Sequence, residues 1–166
     1  MKPNTILHPQ LAEALATCGH TDIILVTDAG FPIPANANRI DLGFWAGIPD
    51  VCDILKVLRQ SIFVEEVSFA REVKTCFPSL YKKVQDIYTG SGAIFKPTTH
   101  ENLVENIAPK AKVIIRSGSL TAWGNFALTC STDPFAWFTE PDVKILPPYI
   151  ERRKRITDNV VPDFED

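Results

Sequence analysis

The chain has 166 residues, 45% hydrophobic and 22% charged, proportions that exclude wholesale disorder, collagen and a disulfide-dense miniprotein and suit one complete core. Its 17 Lys and Arg against 20 Asp and Glu give a formal charge of −3, without the basic excess of a nucleic-acid surface, so DNA and RNA are not expected partners. No apolar stretch approaches the roughly 18 residues of a membrane span, and Met1 to Thr5 opens no hydrophobic leader, so the expectation is a cytoplasmic protein without membrane contact.

In chain order, Leu11, Ala14, Leu15 and Cys18 recur at helical spacing, which predicts a helix from Pro9 that stops at a left-handed Gly19. Ile23-Ile24-Leu25-Val26 is a continuous branched run, the pattern of a central strand buried on both faces. Pro32 and Pro34 then bar a helix, so residues 29–34 form an ordered loop at the strand's carboxyl end. Asn38 to Asp41 reads as a short edge strand, and Val51, Ile54, Leu55 and Leu58 as one face of a helix introduced by Gly47-Ile48-Pro49-Asp50. Val64 to Ala70 returns to strand composition. Pro78 to Tyr88 is a second helix with Leu80, Tyr81, Val84 and Ile87 inward, ended by Gly90-Ser91-Gly92. A brief strand at 93–95, a helix capped by Thr99 through Ile107, and a buried strand at 112–116 follow. Strands alternating with helices give an α/β domain over residues 1–132. From Asp133 prolines punctuate an irregular extension, 133–166, whose aromatics predict packing on a neighbouring surface and whose Arg152-Arg153-Lys154-Arg155 run reads as solvated or subunit-bridging.

The chemistry-bearing residues are few. No nucleotide, zinc-protease, EF-hand or serine-hydrolase motif occurs, and Cys18, Cys52, Cys76 and Cys130 form no CxxC pair, so buried reduced thiols are expected. His20 follows a helix end, where the negative pole favours a protonated ring suited to a general acid; capping free carbonyls is the alternative. Asp28 lies where a buried strand gives way to a loop, the ligand-binding end of an open α/β sheet, or else it satisfies loop amides. His100 stands at a helix start, where a surface role is the plainer alternative. Trp123-Gly124-Asn125 combines an aromatic face with a bidentate amide, a set that can hold a sugar, or marks a core tryptophan beside a turn.

Taken in order, Gly19-His20-Thr21-Asp22, Asp28-Ala29-Gly30-Phe31-Pro32-Ile33-Pro34, Arg39-Ile40-Asp41-Leu42, Gly47-Ile48-Pro49, Thr98-Thr99-His100-Glu101, Val113 to Gly118 and Trp123-Gly124-Asn125 resemble the D-ribose pyranase and L-fucose mutarotase family, from about Leu7 to about Cys130. The resemblance implies an α/β fold, pentameric rings paired into a decamer, and monosaccharide sites between adjacent subunits, with no metal and no organic cofactor. It further implies that His20 is the proton donor, that Asp28 and His100 bind the sugar, and that Trp123, Gly124 and Asn125 close over it. Ribose-type blocks prevail, which makes a D-ribose pyranase the leading expectation and an L-fucose-type mutarotase or a non-catalytic sugar-binding protein the alternatives. Trp123 replaces the family's usual tyrosine, Val104 a frequent lysine, and the extension exceeds the usual chain end.

Overall fold

In the computed structural model, which describes residues 5–165, six strands make one sheet: β1 (Ile23–Thr27), β2 (Arg39–Asp41), β3 (Phe63–Ala70), β4 (Ile94–Thr98), β5 (Val113–Arg116) and β6 (Phe126–Ser131). The opening Met1–Asn4, read above for a leader, lies outside the described residues. The strand order is β2-β5-β1-β6-β3-β4, with β1 parallel to β5 and antiparallel to β6. The branched run is therefore central, and the edge strand at 39–41 pairs with β5 as its composition predicts.

Alternation along β1 sorts its side chains between two cores. Ile24 and Val26 pack beneath helices α1 (Pro9–Ala16), α2 (Val51–Ser61) and α4 (Pro78–Tyr88). Leu25 faces the other way, with Phe31, Ile114, Ala127 and Leu103. Helix α2 starts on a reciprocal cap in which Asp50 accepts from the Cys52 amide at 2.9 Å while Asp53 accepts from the Asp50 amide. Thr99 caps α5 (His100–Asn102) by accepting from the Asn102 amide at 3.1 Å; the chain continues as a π-type turn over Leu103–Ile107 and a 3-10 turn over Ala108–Lys110.

Several local expectations change. Helix α1 ends at Ala16, because the Thr17 hydroxyl returns to the Ala14 carbonyl at 2.8 Å; Gly19 is not left-handed, and Thr21 takes the positive φ of 70°. In α4 Tyr88 is fully buried and Ile87 only half-buried. Helix α3 (Glu72–Cys76) was not legible, since one inward residue, Val73, makes no period. All four cysteines are free, but only Cys52 and Cys130 are buried; Cys18 is partly buried and Cys76 exposed.

The extension is irregular except for α6 (Pro147–Thr157), which the proline pair had masked although proline is tolerated in a helix's first turn. Arg152 is 3% exposed, so the basic run is not uniformly solvated. Helix α6 sits on Gly92 at φ +75°, where an added Cβ would meet Ile156 at 2.6 Å, and Arg155 donates to the Gly92 carbonyl at 3.0 Å. Beyond α6 the chain folds back along α4. Gln85 donates to the Pro162 carbonyl at 3.0 Å, the Tyr81 hydroxyl donates to Asp163, and Lys74 lies 3.2 Å from the same carboxylate. The Phe164 ring packs 5.9 Å from both Phe69 and Tyr81.

The Tyr81 hydroxyl, and then the Phe164 amide and Lys74, hold the Asp163 carboxyl below its ordinary value. A lowered folded value means stability present above the unfolded value of ~3.9 and lost as pH falls through the folded one. Asp163→Asn should therefore lower Tm near neutral pH, and the gap from wild type should close as pH drops below ~4 in parallel melts.

Candidate functional site

Strand β1 carries a candidate site residue beyond each end, Asp28 after it and His20 before it. At its carboxyl end the Ser117 amide and hydroxyl both donate to the Thr27 carbonyl, at 2.9 and 2.7 Å, and the Ala29 amide donates to the Ser119 carbonyl at 2.9 Å. The loop after β5 thus splints the loop after β1. Within that splint Asp28 and Asn125 are doubly joined: the Asp28 amide donates to Asn125 Oδ1 at 3.0 Å, and Asn125 Nδ2 donates to Asp28 Oδ2 at 2.8 Å. Asp28 Oδ1 also accepts from the Gly30 amide at 2.8 Å, so the residue satisfies its loop as well. An ionised carboxylate offers about four acceptor positions, which leaves room for sugar hydroxyls.

Asn125 is buried, and Gly124 lets the turn approach: an added Cβ would lie 2.9 Å from the Thr121 carbonyl. Trp123 has φ 56°, an unusual conformation for a bulky side chain and of the kind that clusters at ligand sites. Its indole is half-buried and touches both cores, so the core reading of this tryptophan holds in part. His100 packs edge-on against Phe31 at 5.9 Å, and its Nδ1 has no hydrogen-bond partner among the described residues. Beside this group Ala29, Phe44, Trp45, Arg116, Gly118 and Leu120 line a shallow depression of about 280 Å³. The roomier groove between α2 and α4 contains none of these residues.

His20 is not there. It lies before β1, and the five strand residues alone hold the two ends roughly 15 Å apart. With α1 ending at Ala16, its anionic neighbour is not the helix pole but Glu65, whose Oε2 lies 3.1 Å from His20 Nε2. Glu65 is the unopposed residue of a β-bulge, since Val64 pairs with Cys130 and Glu66 with Thr129. Such a bulge re-aims a side chain. Glu65 Oε2 also accepts from the Ser131 hydroxyl at 2.7 Å; that hydroxyl accepts from Arg152, and the Tyr149 ring stands 6.4 Å from the imidazole. Asp22, below its ordinary value because the Gly19 amide and then Lys112 favour its charged form, braces the same turn. Burial pushes the nearby Cys130 thiol up to about 12, which makes it a poor nucleophile. The Glu65 contact has one trace in the sequence, the Glu65-Glu66 doublet that breaks the strand's alternation.

Comparison with known proteins gives the following. Residues 1–132 match the family model described as the RbsD / FucU transport protein family. D-ribose pyranase 1 of Streptomyces griseus is 40% identical over 138 residues, 83% of this chain and 90% of that protein. D-ribose pyranase 2 of Rubrobacter xylanophilus is 35% identical over 153 residues, 92% of this chain and 97% of that protein. The structure of Bacillus subtilis RbsD complexed with D-ribose superposes with a TM-score of 0.74 at 33% identity, covering 80% of this chain and 99% of that one.

Proposed function

We propose, proceeding from the fact that this chain belongs to the RbsD/FucU transport protein family, that it is an isomerase interconverting the cyclic forms of an aldose, with D-ribose its substrate. The observation that carries the mechanism is the division of the polar groups between the two ends of β1. A site needing both is completed by two copies: the Asp28 end of one subunit faces the His20 end of the next. The exposed Phe44, Trp45 and Leu120 beside Asp28 support such a contact, since side chains 77%, 72% and 76% exposed form an apolar patch that a second copy would cover. The assembly is a ring, pentamers paired into a decamer as the resemblance implies, working in the cytoplasm.

Opening of the hemiacetal needs a proton at the ring oxygen and removal of the anomeric hydroxyl proton. Because a carboxylate only accepts, the His20 Nε2 facing Glu65 carries hydrogen, and Nδ1 is the nitrogen left to serve the substrate. The doubly protonated His20 ring gives its Nδ1 proton to the ring oxygen as the C1–O bond breaks, becoming the neutral Nε2–H form, and the anomeric proton passes to Asp28 or His100, which with Asn125 hold the hydroxyls. The open aldehyde then rotates, and a hydroxyl re-adds to C1 while the protons return. Neither oxidation nor group transfer is involved, so two placed proton-transfer groups suffice.

Saturation-transfer NMR of D-ribose, L-fucose and related aldoses with catalytic amounts of protein tests the reading: accelerated pyranose–furanose exchange of D-ribose is expected. Binding without exchange would mark a sugar-binding protein instead, and no effect on any sugar would overturn the proposal. Trp123 bears on specificity. Trp123→Tyr keeps an aromatic face and introduces a hydroxyl, so relative exchange rates among sugars should change by roughly tenfold while Tm moves little. Identical sugar profiles would remove Trp123 from the site.

A further inference from the structure

Arg152 is buried near the Glu65 and Asp133 carboxylates, yet its hydrogen-bonding capacity is only partly used. Its Nη1 donates to Ser131 Oγ and to the Thr132 carbonyl at 3.1 Å, while Nε and Nη2 have no partner among the described residues. A buried guanidinium with open donors is costly, and an apolar side chain would fill the same space at lower cost. What the guanidinium supplies is restraint. Ser131 gives its one hydrogen to Glu65 Oε2, which only accepts and which also receives His20 Nε2, while Arg152 occupies the hydroxyl's acceptor side and so holds it in that pose. Glu65, unopposed at its bulge, has no partner residue across the ladder to steady it.

We propose that Arg152, supplied by the C-terminal extension, is a positioning residue for the proton donor, acting through Ser131 and Glu65 to fix the orientation and tautomer of His20. The proposal rests on the reading of His20 as donor. Tyr149 lies three residues earlier on α6, hence on the same helix face, and places its ring beside the imidazole, with the Phe138 ring tilted against it at 4.9 Å. Arg152 and Tyr149 lie beyond residue 132, where the family match ends, whereas Ser131, Glu65 and His20 lie within it; the Rubrobacter relative, aligned over 92% of this chain, extends into the same segment.

The test uses the full chain with Ser131→Ala, Ser131→Thr and Arg152→Met, measuring D-ribose exchange and the ¹⁵N signals of the His20 ring. Ser131→Ala should lower kcat on the order of tenfold, less than the loss of the acid itself, with KM nearly unchanged. The His20 signals should move from one Nε2–H form to a mixture, and Ser131→Thr should restore both. Arg152→Met should do the same as Ser131→Ala; if its lost ion leaves it unfolded, the serine pair decides. Unchanged kcat in Ser131→Ala, or a loss of kcat with His20 signals like wild type, would overturn the relay. Should the wild type exchange no sugar, the enzymatic reading fails, and the ring signals alone judge the relay.

Discussion

His20→Ala is expected to slow D-ribose exchange by roughly 10²-fold or more, the loss that follows removal of a general acid, while leaving the fold in place. The argument for an intact fold is local. The imidazole is 36% exposed and stands in a turn, and its one polar partner among the described residues, Glu65, keeps the Ser131 hydroxyl after the ring is gone. An exposed pair of this kind contributes at most about 1 kcal/mol. Its Cα sits outside the helix, so no cap is lost. Exchange should therefore collapse with Tm nearly constant. The opposite pattern, exchange kept and stability lost, would reduce His20 to a structural residue and move the acid elsewhere.

The second large effect is a recovery. His20→Ala and Asp28→Ala chains should each assemble and each be nearly inactive. Co-expressed, they should regain about one quarter of wild-type exchange, because in a randomly mixed heterologous ring a quarter of the contacts join an intact His20 end to an intact Asp28 end. A site contained in one subunit forbids this: mixing would return only the sum of two inactive proteins. Sedimentation of the mixture confirms that rings have formed, so a failure to recover cannot be blamed on dissociation. The experiment separates a shared site from a self-contained one without requiring the sugar to be D-ribose, provided one exchanging substrate is in hand.

Legibility followed the physics of each signal. Residues 23–26 were readable because a strand buried on both sides leaves an unbroken apolar run, and 51–58 because one helical face does. Asp28 was readable as a candidate because strand ends in such sheets collect ligands, and Asn125 through the resemblance, but the double hydrogen bond that joins them is visible only in the folded chain. The separation of His20 from Asp28 was equally written in the chain, since they flank a single strand, yet only the assembled sheet makes its consequence plain. Glu65 was not readable: a bulge is a matter of register between β3 and β6, and one strand's sequence does not contain its partner's. Arg152 was hidden for a related reason. Four consecutive basic residues look alike on paper, and only helix phase decides which one turns inward.

Strand β1, held between β5 and β6 with its middle residues fully enclosed, is in effect a gauge bar. In the proposed ring its length sets the spacing between successive reaction centres, and the ladders on both sides leave it no slack. A substitution inside it can be absorbed as a packing fault, but an inserted or deleted residue shifts one end by ~3.3 Å and turns every later side chain to the opposite face. Such a change could leave a folded subunit whose two ends no longer meet those of its neighbours. If the proposed ring forms, the tolerance of this short segment to indels is set by its circumference as much as by the core the strand crosses.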